Sequence, residues 1–214
     1  MKTLTRSRTA FRGSLAAATT AALALVFAGS PDAHAATIDV DYDVTGSTTI
    51  ASTGSTIALG PAVLSSRVEA DGAFGADLEL PGTRTEFKLA GFIPVTANVA
   101  FEPVGETTGQ LSRVGRTQVA TSTSTFHVRL SNIKAAGLPL FAGPFCRTKE
   151  PVVIQADTPV GEAFDIVKGG RLVGEYGLGK FQHCGLNTLL INSVIPGDGN
   201  TIELTLANGR LTTP

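Results

Sequence analysis

The stretch Thr85–Thr107, TEFKLAGFIPVTANVAFEPVGET, decides the fold. Phe87, Leu89, Gly91, Ile93, Val95, Ala97, Val99 and Phe101 all fall on odd positions, while Glu86, Lys88, Thr96, Asn98 and Glu102 fall on even ones. Side chains on a strand point alternately to opposite faces, so this is a β period held without a slip. Two geometries keep it: one long strand bent at Gly91–Pro94, or a hairpin with an odd-numbered loop. A two-residue turn at Phe92-Ile93 would set Leu89 opposite Thr96 and mix the two faces. Pro94 has no N–H for a ladder and is expected at an edge, a bend or a bulge. Phe92 is left over, an aromatic on the polar parity, and is a candidate contact residue.

The same period recurs on both sides of this segment. Ile38, Val40, Tyr42 and Val44 alternate with Asp39, Asp41 and Asp43. Ile57 and Leu59 predict a short strand ending at Gly60-Pro61. Leu64, Val68, Phe74, Ala76, Leu78 and Leu80 keep one parity across Asp71-Gly72-Ala73, which predicts a three-residue hairpin loop pairing Val68 with Ala76. Thr117–Ile133 reads as a long strand and Val152–Ala156 as a short one. In DIVKGGRLVGEY, Gly169-Gly170 predicts a type I′ turn pairing Val167 with Leu172. A single short helix is expected around Leu186–Val194, before Pro196-Gly197, and a final strand carries Ile202, Leu204 and Leu206. About ten short strands give an all-β fold, an antiparallel β-sandwich with a β-barrel as the alternative.

The first 35 residues read as a secretion signal: Lys2, Arg6, Arg8 and Arg12, an apolar run Leu15–Ala28, then Ala33-His34-Ala35. Its removal would leave residues 36–214 as one domain of 179 residues, secreted to the exterior or the cell envelope, with no transmembrane anchor. It would also take four of the 17 basic and one of the 18 acidic side chains, leaving 13 against 17. That balance of −4 is a poor electrostatic match for nucleic acid or an anionic membrane surface.

Two cysteines in an exported chain, Cys146 and Cys184, predict one disulfide. A thiol nucleophile at Cys184 is disfavoured, because His183 beside it on a strand would face the other way. Gly-x-Ser-x-Gly, His-Glu-x-x-His, a phosphate-binding Gly-Lys-Ser/Thr loop and Cys-x-x-Cys are all absent. No catalytic residue, cofactor or metal site is assigned. Asp39, Asp41 and Asp43 lack a calcium-loop pattern, since the twelfth loop position counted from Asp39 is Ile50. They are expected to form a solvated acidic edge. His127 falls on the parity opposite Phe126 and Val128, facing solvent. The apolar loop GLPLFAGPF (Gly137–Phe145) is either a core cover or a contact for lipid or another surface protein, with Leu138, Leu140, Phe141 and Phe145 as its candidate contact residues.

The ordered set TGSTTI, IALGP, LELPG, GFIPVTANVAFEPVGETTG, FCRTKEP, VKGGRLVGEY, HCGL and IPGDGNTIEL resembles small secreted β-rich proteins of actinobacteria with a GFIPVTA-like segment and a cysteine pair. The resemblance implies an exported β-domain with one disulfide and carries over no catalytic residue. The function expected on these grounds is non-enzymatic, either binding or a structural surface role. Carriage of a lipid or hydrophobic ligand is the alternative, and a secreted hydrolase the third reading.

Overall fold

The computed structural model describes residues 37–89 and 92–212. The expected signal sequence and Gly91 lie outside them. Ten strands longer than two residues are joined antiparallel: β1 (Ile38–Ile50), β2 (Ser55–Val68), β3 (Ala73–Leu78), β4 (Thr83–Leu89), β5 (Ile93–Pro103), β6 (Thr107–Val114), β7 (Thr117–Ala135), β10 (Val152–Asp157), β11 (Gly169–Leu178) and β13 (Gly197–Thr212). Three two-residue strands complete the sheet: β8 (Leu138–Pro139), β9 (Arg147–Thr148) and β12 (Phe181–Gln182). One helix, α1 (Thr188–Val194), follows a 3₁₀ turn at Gly185–Asn187.

Hydrogen-bonded neighbours run β10-β11-β13-β1-β2-β3-β6-β7-β5-β4, and β10 also pairs with β7. The circuit is zipped at the β10–β11 seam by one registered pair, Asp157↔Val173. The sheet is therefore folded over on itself around a shared core rather than rolled into a regular barrel. β7 makes this possible by its length of 19 residues. Its first half lies between β6 and β10, and its second half pairs with β5 and touches β9 and β8.

The deciding stretch is a hairpin. Leu89 pairs with Ile93, Phe87 with Val95, Thr85 with Ala97 and Thr83 with Val99, so the loop has three residues and the odd parity stays inside. Val95, Ala97 and Val99 are buried. Pro94 stands at the second position of β5, where its carbonyl accepts from the Ala136 N–H at 2.8 Å.

Four expectations need correction. β2 does not end at Gly60-Pro61; it bulges there and continues to Val68, so that burial moves from odd residues (Ile57, Leu59) to even ones (Leu64, Ser66, Val68). An extra residue on one strand turns every later side chain to the other face. The loop of the next hairpin lies one residue earlier, with Glu69 bonded to Ala73 and Val68 opposite Phe74; parity survives because the register moves by two. The turn expected at Gly169-Gly170 lies upstream at Ile166-Val167-Lys168, where the Asp165 carboxylate accepts from the Val167 and Lys168 N–H groups. Those glycines serve close approach: a Cβ on Gly169, at φ +86°, would run into the Leu206 carbonyl, and one on Gly170 would meet Phe164 at 2.9 Å. Finally, β1 is not an edge, because it pairs with β13 on one side and β2 on the other. Asp39 is paired with Arg67 and Asp43 with Arg210.

The two tyrosines of the chain are both buried. Tyr42 donates to the Ile166 carbonyl at 2.6 Å; burial, assisted by the nearby Asp165 charge, pushes its phenol up to about 12. Burial also raises Tyr176, partly offset by its hydrogen bond with Thr48. A phenol raised on folding contributes stability in full below its ordinary value of 10.0, and that contribution is lost as pH climbs to about 12. In an ultraviolet pH titration, tyrosinate absorbance should stay low through pH 10.0 and rise only together with loss of the β circular-dichroism signal. Half-ionisation at the free-tyrosine value with the fold intact would contradict this burial.

Candidate functional site

Three segments without a single charged residue converge on one end of the molecule: Leu89–Phe101, Ala135–Cys146 and Cys184–Gly197. Their meeting point is a cavity lined by Leu89 of β4, Ala135 of β7, Leu140 of the following loop, and Leu190, Ile191 and Val194 of α1. The cavity is about 70 Å³, with the Thr85 hydroxyl buried on its wall without a hydrogen-bond partner among the described residues. Ligand pockets are commonly about 300–1,000 Å³, so this space suits packing imperfections better than a lipid chain.

The outside of the same end is apolar as well. Phe92, Leu138, Phe141, Phe145, Leu186 and Leu189 all face solvent, from 69% exposed at Phe145 to 99% at Leu186. Of the contact residues expected from sequence, Phe92, Leu138, Phe141 and Phe145 are brought to this surface, while Leu140 turns inward to the cavity. Leu186 and Leu189 were not foreseen as contacts, because the period of a short helix gives no sign that both of its faces are apolar. The inner face of α1 buries Ile191 in the core.

Covalent and polar ties hold the segments in place. Cys146 and Cys184 form the expected disulfide, and both are fully buried. Asn187 donates to the Phe141 carbonyl at 3.0 Å. Asn192 bonds both the N–H and the carbonyl of Phe181, at 2.7 and 2.9 Å, which fastens α1 to β12. Basic groups collar the end: Lys88, in register with Pro94; Lys134, in register with Thr96 and Pro139; and Arg147, next to the disulfide.

Beside the apolar end, Glu102, Arg129, Phe145, Arg147 and His183 line a surface pocket of about 420 Å³. Register explains it: Glu102 opposes His127, and Arg129 opposes Arg147, so these side chains leave the same outer face. His127 itself is engaged, its Nδ1 lying 3.1 Å from both the carbonyl and the hydroxyl of Thr148. A third groove, of about 760 Å³, is lined by Asp77 and Glu79 with Ser65, Thr107 and Thr125; among the described residues no imidazole or guanidinium lines it. Among the described residues, no group of three or more metal-ligating side chains converges, and no helix is long and apolar enough to cross a membrane.

No family model, curated protein or solved structure matches the chain.

Proposed function

We propose that this is a non-enzymatic binding protein of the cell exterior or envelope, which docks on a lipid surface through its apolar end. The observation that carries the reading is the convergence of six exposed Phe and Leu side chains from three uncharged segments. Contiguous apolar patches of this kind mark interaction surfaces on soluble domains. The collar of Lys88, Lys134 and Arg147, which outnumbers the nearby Glu86 and Glu102, supports a lipid surface as the occupant. Apolar side chains enter the acyl boundary while each nearby basic group adds about 1 kcal/mol against anionic headgroups. The balance of −4 over residues 36–214 hides this local excess. Carriage of a lipid inside the sheet is not favoured, given a cavity of about 70 Å³.

The test is sedimentation of the disulfide-bonded protein with vesicles of phosphatidylcholine, with and without phosphatidylglycerol. Binding is expected to both, tighter to the anionic vesicles and weakened by salt. Replacing Phe141 and Leu189 together by Asp should reduce binding at least about a hundredfold, since it removes two buried anchors and adds two repelled charges. Their high exposure means that the fold should survive the change. Absence of wild-type binding to either vesicle would end the lipid reading.

A further inference from the structure

The geometry points to a second site: the pocket of Arg129, Arg147, Glu102, His183 and Phe145 binds the phosphate group of a ligand. Arg129 Nη1 lies 3.5 Å from one Glu102 oxygen and Arg147 Nη1 lies 3.6 Å from the other. Charge-assisted N–H···O contacts normally close to about 2.7–2.9 Å, so one carboxylate straddles two guanidiniums and satisfies neither. Arg129 is held from behind: its Nη2 donates to the Pro144 carbonyl at 2.9 Å and its Nε is buried without a hydrogen-bond partner among the described residues, so a ligand meets this guanidinium through Nη1. Two cations against one anion leave a net positive pocket.

The other two walls fit the same ligand. His183 is held at φ +58°, in the left-handed region where most side chains are strained, and it still lines this pocket. A neutral or charged imidazole offers an N–H to an oxyanion. A tetrahedral phosphate can present oxygens to both guanidiniums and to the imidazole at once, which the two coplanar oxygens of Glu102 cannot. Phe145, exposed and apolar, then faces whatever carbon skeleton the phosphate carries. Glu102 acts as an internal competitor that an incoming phosphate displaces.

The pocket shares Arg147 and Phe145 with the apolar end, but phosphate binding is read without lipid and stands whether or not that end meets a vesicle. Inorganic phosphate, titrated into the intact disulfide-bonded protein at low ionic strength in a phosphate-free buffer, should move the amide NMR signals of Arg129, Phe145, Arg147 and His183. Glu102→Gln removes the competitor and should tighten phosphate binding by about tenfold, whereas Arg147→Gln should weaken it by about tenfold or more, each change being roughly one charge-assisted contact. Arg116→Gln, an exposed arginine in the β6–β7 turn, should leave the affinity unchanged. The opposite sign for Glu102→Gln, or signal changes spread evenly over surface arginines, would overturn the site. The source of the phosphate is read from a competition. Release of the protein from phosphatidylglycerol vesicles by inorganic phosphate, at matched ionic strength, assigns a lipid headgroup. Phosphate binding without such release assigns a free phosphate or a soluble phosphate ester.

Discussion

Replacing Cys146 and Cys184 together by serine is expected to lower the unfolding free energy by about 4 kcal/mol, as loop-closure entropy gives for a bridge of this span. The cysteines are 38 positions apart, and both are fully buried. The bridge also acts locally. It stands beside a two-rung ladder in which Arg147 pairs with Gln182 and Thr148 with Phe181. It presses Gly143 against the His183 carbonyl, where a Cβ would come within 2.6 Å. Phe145 and His183 are the immediate neighbours of the two cysteines, so the phosphate pocket should fail along with stability. Urea unfolding of the oxidised protein and of the double variant checks the first effect, and phosphate titration checks the second. An unchanged midpoint would show that β9 and β12 hold this corner without the bridge.

Asn200→Ala should cost about 3 kcal/mol or more, because three backbone groups, one of them buried, lose their partner at once. Asn200 is fully buried; its Nδ2 donates to the Tyr176 carbonyl at 3.0 Å and the Gly197 carbonyl at 2.9 Å, and its Oδ1 accepts from the Ala51 N–H at 3.0 Å. One side chain thus joins the β1–β2 turn to the start of β13 and to β11. Thr48 extends the network, bonding the Tyr176 hydroxyl at 2.7 Å and the Thr201 carbonyl at 2.8 Å. Asn98→Ala, on an exposed face of β5, is the control and should change stability by less than about 0.5 kcal/mol. Thermal or urea unfolding of the two variants separates them, and equal midpoints would sink the claim.

Asn200 also shows where sequence reading stops. GDGN looks like a turn, and nothing local says that its Asn is the most enclosed amide of the core. The alternation in Phe87–Phe101 fixed which side chains face inward and left a bent strand or an odd-loop hairpin; the structure takes the hairpin, and a register slip would have exposed an apolar row to water. The disulfide and the helix at Thr188–Val194 were legible for similarly local reasons. The Gly169-Gly170 turn was misread because a turn dipeptide and a close-packing dipeptide look alike until Leu206 and Phe164 are seen beside them. The apolar end was half legible: the loop Gly137–Phe145 was singled out, but its partner at Leu186–Leu189 lies some 45 positions on and read only as the start of a short helix. The arginine pocket was not legible at all, since Glu102, Arg129, Arg147 and His183 are scattered; the registers of β5, β7 and β9 bring the first three together, and the β9–β12 ladder with the disulfide brings His183.

The pairing of β1 with β13 sets the order in which this chain can assemble. Ile38–Ile50 lies hydrogen-bonded between the neighbouring strand β2 and the last strand, Gly197–Thr212. A chain appearing amino end first holds one side of β1 unpaired until residue 197 has arrived, more than 140 positions later. Loop-closure entropy makes such distant pairings slow to form. The sheet therefore cannot close on β1 until this distant strand is in place, which makes the β1–β13 pairing a late step of folding.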